Sequence, residues 1–140
     1  MVTLFEHFSA AKSLYSQYTA PVCKAFGLTQ MEYNILMFLY NNPQLSTAAD
    51  IVKFRNLTKS HVSVSVKSLQ EKGLIRGEYL PGNRRDVHLR LCPQAQPIVE
   101  SGRQAQEHFG RRLMQGFSPE EEAQLMDYMT RIHNNLKTGE

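Results

Sequence analysis

The stretch from Leu57 to Leu91 constrains this 140-residue chain more than any other, because its hydrophobic period changes there from helical to alternating. Val62, Val66 and Leu69 recur at the three- and four-residue steps that line one face of a helix. Gly73 follows, and glycine ends many helices because it enters the left-handed region without a Cβ clash. Leu74 to Leu80 and Val87 to Leu91 then alternate like two strands of a half-buried hairpin, joined by a basic tip, Pro81-Gly82-Asn83-Arg84-Arg85. Between Lys53 and Arg90 there are nine cationic side chains against three anionic ones, a net +6. The whole chain is +3, so the remainder is −3. A basic block in an otherwise mildly acidic chain is what a phosphate-binding surface requires.

The bulk numbers set bounds. At this length one domain with a real core is expected, and 41% hydrophobic with 21% charged residues is ordinary for a globular protein. No apolar run approaches the ~20 residues of a membrane span. The N-terminus carries Glu6 early and has no basic leader, so no signal peptide is expected. Two cysteines are too few for a disulfide framework, which points to a reducing, cytoplasmic setting.

The rest of the chain reads as helices on either side of this block. Leu4, Phe8, Ala11, Tyr15, Tyr18 and Val22 form a narrow seam on a first helix, which Pro21 and Gly27 are expected to close. Thr29-Gln30-Met31-Glu32 is a capping box that opens an apolar core helix, stopped by Asn41-Asn42-Pro43. Ser46 is expected to cap a short third helix burying Ala49, Ile51 and Val52, and Thr58 a fourth. After Pro93, a long helix from about Gln94 carries Ile98, Ala105, Phe109 and Leu113 on one side. Ser118-Pro119-Glu120-Glu121 starts a last helix with a second narrow seam, Leu125, Met129, Ile132 and Leu136. One small chain has little else to cover both terminal seams, so two copies are expected to intertwine as a dimer.

Three stretches resemble the MarR family of bacterial winged-helix transcription regulators. Leu28 to Leu36 is similar to the family's helix entry, Leu57 to Ser63 with Leu69 to Ile75 to its recognition helix and exit, and Gly82 to Leu91 to its wing. The resemblance runs from about Leu4 to Leu136. It implies a mainly α fold with a small β-hairpin wing: a winged helix-turn-helix with N- and C-terminal dimerisation helices. Residues 1–140 would form one domain, with 28–92 as the DNA-binding core and 1–27 and 93–140 as the helical dimerisation region. It further implies a homodimeric repressor of an operator in double-stranded DNA, released in many members by a small aromatic effector.

The contacts can be assigned residue by residue. With Val62, Val66 and Leu69 turned inward, Ser60, His61, Ser63 and Val64 face the major groove, Val64 by an apolar contact such as a thymine methyl. The family's wing has an acidic residue two places before an arginine that enters the minor groove. Arg85 falls on the arginine place and Asn83 on the acidic one, which removes the ion pair that usually braces the wing; Asp86 could substitute. Arg84 is assigned to phosphate or the groove rim. Lys53, Arg55, Lys59, Lys67 and Arg76 are expected to touch phosphates, adding affinity without sequence information, and Arg90 to be a surface charge.

For an effector, Tyr15, Tyr18, Phe26, Tyr33 and Met37 are candidate linings, although the same residues at helical spacing also suit plain core. Cys23, following Tyr15 and Tyr18 and next to Lys24, raises the alternative of an oxidation switch; Cys92 reads as structural. The five histidines lack paired metal-ligand spacing, and neither a cofactor motif nor a catalytic one is present, so no enzyme, metal or cofactor is expected. A winged-helix module that binds a protein partner is the remaining alternative. It would want an apolar recognition face, and only Val64 favours that.

Overall fold

The computed structural model describes residues 1–55 and 57–137. Six helices and one antiparallel hairpin follow in the order α1 (Leu4–Phe26), α2 (Gln30–Asn41), α3 (Ala48–Arg55), α4 (Lys59–Glu71), β1 (Ile75–Leu80), β2 (Asn83–Leu91), α5 (Gln96–Leu113) and α6 (Pro119–Lys137). A 3₁₀ turn, Pro93–Ala95, leads into α5. Among the described residues no helix is long and apolar enough to cross a membrane.

The core is built on α2, which buries Tyr33, Ile35, Leu36, Met37, Phe38 and Leu39 in sequence. Such a run leaves no polar face, so other elements must surround it. α4 brings Val62 and Leu69, α3 brings Ile51, β2 brings Leu89 and α5 brings Ile98 and Val99, all nearly without exposure. Close approach of α5 needs Gly102: a Cβ there would stand 2.6 Å from Met37 Sδ and 3.0 Å from Tyr33 Cε1.

Local signals set most boundaries. Thr29 and Glu32 form the expected capping box, with reciprocal backbone bonds of 3.0 and 2.9 Å. Ser118 and Glu121 form another, at 3.1 and 2.8 Å. At the exit of α4, Gly73 takes φ +72° and the Leu74 N–H reaches back to the Leu69 carbonyl at 3.0 Å.

Three boundaries and one buried position differ from the sequence reading. α1 does not close at Pro21; it runs through it to Phe26 and ends at Gly27, whose φ of 65° is left-handed. An interior proline costs about 3 kcal/mol, and burial of Thr19, Val22 and Cys23 on that same segment offsets it. The cap of α3 is Thr47, exchanging two 3.1 Å bonds with Asp50, while Ser46 is buried and bonded elsewhere. Ala49 is exposed; Ala48 packs on the core in its place. The hairpin turn is only Pro81-Gly82, because Leu80 pairs with Asn83, so Arg84 and Arg85 belong to β2. Gly82 at φ +77° supplies the positive angle that the second turn residue after proline requires.

Packing is uneven. α1 lies against α5, where Phe109 meets Tyr15 and Tyr18 edge to face, with ring centroids 5.1 and 6.1 Å apart. In α6 nothing is buried: Leu125, Met129 and Ile132 are half-covered and Leu136 stands exposed. Leu4, Phe5 and Phe8 at the other end of the chain are exposed as well.

Candidate nucleic-acid interface

Helix α4 begins at Thr58, whose hydroxyl accepts the His61 N–H at 3.3 Å. Its 3.6-residue period sends Val62 and Leu69 into the core and leaves Lys59, Ser60, His61, Ser63, Val64 and Lys67 exposed. Val64 is 70% exposed, an apolar side chain with no role in its own fold. The outward face therefore carries hydroxyls, an imidazole, one methyl-bearing group and two flanking ammoniums. Those groups can meet base-edge donors, base-edge acceptors, a thymine methyl and phosphates respectively.

The wing is organised by Asn83. Its side-chain carbonyl accepts the backbone N–H of Arg85 at 2.9 Å and of Asp86 at 3.4 Å, and its amide donates to the Asp86 carboxylate at 3.3 Å. Asn83 thus braces the strand start through backbone bonds where an ion pair was missing. Asp86 is held by Asn83; among the described residues it makes no ion pair with either arginine, and Arg84 and Arg85 are exposed. The hairpin is anchored at its base. Ser46 Oγ stands 2.8 Å from His88 Nδ1, and the Leu89 N–H donates to the Ser46 carbonyl at 2.8 Å.

The basic block is less uniformly available than its count suggests. Arg76 and Arg90 both bond Glu78, at 2.7 and 2.8 Å, and those two hydrogen bonds hold the Glu78 carboxyl below its usual range. Arg90 is therefore a structural partner. Lys72 is committed to Glu32 at 2.9 Å. Lys53 lies 5.6 Å from the Phe54 ring centroid. Arg55, expected at a phosphate, lines an open cavity of about 730 Å³ together with Lys12, Tyr15, Asn41, Gln106 and Phe109.

That cavity regroups the effector candidates. Tyr15 borders it, and Tyr18 adjoins through Phe109. Tyr33 and Met37 are fully buried beneath. Phe26 stands apart, exposed at the far end of α1. Tyr15 Oη accepts from Gln106 Nε2 at 3.0 Å and lies 3.3 Å from Tyr33 Oη, which donates to the Gly102 carbonyl at 3.4 Å. Burial pushes the Tyr33 phenol up, so it stays a neutral donor. Asn41 Nδ2 donates to Gln106 Oε1 at 3.3 Å. Asn41, Gln106 and Phe54, which also lines the cavity, were missed from sequence because their helical positions carry no pattern that separates a cavity wall from a surface.

Cys23 lies inside α1, not after it, and is buried. Burial pushes its thiol up and Glu32 adds to that, so the thiolate that oxidation requires is disfavoured. Lys24 points to solvent. Among the described residues no three His, Cys, Asp or Glu side chains gather to hold a metal ion.

The same architecture recurs in known proteins. A sequence model of the MarR family matches residues 26–86, from the end of α1 to the start of β2. YdgJ of Bacillus subtilis (strain 168), an uncharacterized HTH-type transcriptional regulator, is 28% identical over 114 residues, 81% of this chain and 69% of its own length. The structure of the transcriptional regulator PA3341 superposes with a TM-score of 0.83 at 18% identity, covering 96% of each chain. A MarR family regulator from Listeria monocytogenes, complexed with 26mer DNA, also gives 0.83 at 19% identity, covering 97% of this chain and 89% of that one. The S. aureus MepR–DNA complex gives 0.76 at 23% identity, with 96% of both chains covered.

Proposed function

We propose that the chain, whose residues 26–86 match a MarR-family sequence model, is a MarR-family winged-helix protein that acts as a homodimeric, sequence-specific DNA-binding repressor, released from its operator by a small aromatic effector. Residues 28–92 form the reading lobe, and the helices on either side of it form the dimerisation region. The observation that carries this reading is the outward face of α4: its polar and cationic side chains are exposed while the apolar row opposite packs on the core. Ser60, His61, Ser63 and Val64 read the major groove. Arg85, with Arg84 beside it, enters the minor groove, and Lys59 and Lys67 touch phosphates. Lys53, Arg55 and Arg76 are secondary phosphate contacts: Lys53 lies near the Phe54 ring, Arg76 bonds Glu78, and Arg55 borders the cavity. The exposed apolar residues of α1 and α6 support a dimer.

Binding to duplex DNA across a salt series tests the assignment. Affinity should fall linearly on a log–log scale, and Arg85→Ala should lower that slope by about one, the value for one displaced counterion at a phosphate-lined groove. An unchanged slope and affinity would remove Arg85 from the interface.

For the effector, the cavity beside Arg55 favours a flat ring that carries a negative charge: Tyr15 and Phe109 offer aromatic faces, and Arg55, Asn41 and Gln106 offer donors. Benzoate, as the simplest such probe, should raise the thermal midpoint and weaken DNA binding, and Arg55→Met should abolish both effects. Equal responses from the two proteins would place the effector elsewhere.

A further inference from the structure

We propose that Glu32 is a positioning residue for DNA reading: its buried carboxylate clasps the C-terminal end of α4 and fixes the rotation of the face that meets the bases. The inference rests on the function proposed above and concerns a residue distant from that face. Glu32 is 3% exposed. It accepts the Thr29 N–H at 2.9 Å, the Ser68 hydroxyl at 2.7 Å, and Lys72 Nζ at 2.9 and 3.1 Å. Lys72 Nζ also donates to the Gly27 carbonyl at 3.1 Å. The end of α1, the start of α2 and the end of α4 therefore meet at one carboxylate whose acceptor sites are filled.

Two physical arguments make this a matter of position rather than of stability. A buried ion pair adds little over an apolar contact of the same volume, so holding α4 to the core does not require one. Val62, Val66 and Leu69 already do that, yet they form a single row along α4 and contacts of this kind are not directional. Roll of the helix about that row is what they resist least. The bonds from Ser68 and Lys72 lie beside the row and are directional, failing within a few tenths of an ångström. Side-chain tips stand roughly 5–6 Å from a helix axis, so a roll of about 20° would carry Ser60 or Ser63 by about 2 Å. That is enough to break a base-edge hydrogen bond. Contacts to phosphate tolerate such a shift, because charge–charge attraction persists over about 8–10 Å.

The clasp should therefore affect specificity and leave unspecific affinity nearly alone. The test compares the wild type with Glu32→Gln, Lys72→Met and Lys72→Arg on two duplexes: the consensus that the wild type selects from a random pool, and a scrambled duplex of equal length. Glu32→Gln keeps the cap of α2, since glutamine also serves in a capping box, and Lys72→Met removes the partner from the more exposed side. Both should lower the consensus-to-scrambled affinity ratio about tenfold, the cost of about one lost base contact. Binding to the scrambled duplex should stay within about twofold, as the phosphate contacts remain. Lys72→Arg, which keeps a cation in reach, should restore the ratio. An unchanged ratio in both disrupting variants would overturn the proposal. So would an equal loss on both duplexes for Lys72→Met, which would make Lys72 a phosphate contact. If the wild type selects no consensus, the DNA-reading function itself fails, a result distinct from failure of the clasp.

Discussion

Helices α2 and α6 open on capping boxes of the same kind and end up in opposite situations. α2 buries seven of its twelve residues, whereas among the described residues of α6, nineteen long, none is buried. The contrast teaches where one chain suffices. The lobe around α2 closes its own core with α3, α4, α5 and the hairpin. α6 keeps Met126, Tyr128 and Leu136 exposed, and Leu125, Met129 and Ile132 only half-covered. A short apolar seam left in water gains little from its own helix propensity, since most helical stability comes from packing an apolar face. The lobe around α2 is thus a finished part, whereas α6 leaves apolar surface that the proposed second copy would cover.

Substitutions in the two regions should separate these roles. Leu69→Ala empties a fully buried site and should lower unfolding free energy by about 2–5 kcal/mol without changing the mass of the particle in solution. Denaturant titration with light scattering checks both halves of that statement; a change of mass would tie α4 to the dimer. Ile132→Glu should do the reverse. It should halve the mass and weaken operator binding by roughly a hundredfold or more, because two linked half-sites gain that much from joint binding. A variant that stays dimeric would move the interface away from the α6 seam.

The smallest effect sharpens the comparison at the capping boxes. Burial alone would raise the Glu32 pKa, but the Thr29 N–H, the Ser68 hydroxyl and Lys72 together outweigh it and hold the carboxyl below its usual range. A depressed native pKa means that the unfolded chain binds the extra proton first. The stabilisation is present above about pH 4.3, the unfolded value for glutamate, and is lost as pH falls through the lower native value. Glu32→Gln lacks it throughout, so the stability gap between wild type and variant should narrow as the solution is acidified. A gap constant with pH would mean that Glu32 titrates alike in both states.

What could be read from sequence was what is local. Thr29 with Glu32, Ser118 with Glu121 and Gly73 act within a few residues of themselves, and each holds its predicted place. The faces of α4 were readable because a 3.6-residue period separates them. Pro21 misled because the burial of Val22 and Cys23 is a tertiary effect that outweighs a local rule. Ser46 and Thr47 offer adjacent hydroxyls, and only the fold, which spends Ser46 on His88, decides between them. The clasp at Glu32 was beyond reach: Ser68 and Lys72 are 36 and 40 residues away, and nothing in a single sequence joins them. The cavity beside Arg55 was partly visible through Tyr15 and otherwise hidden for the same reason.

The most direct test of the account is selection of bound duplexes from a random DNA pool by the wild-type protein. The account predicts a near-palindromic consensus with half-sites about one helical turn apart. Recovery of only salt-sensitive binding without a consensus would contradict it.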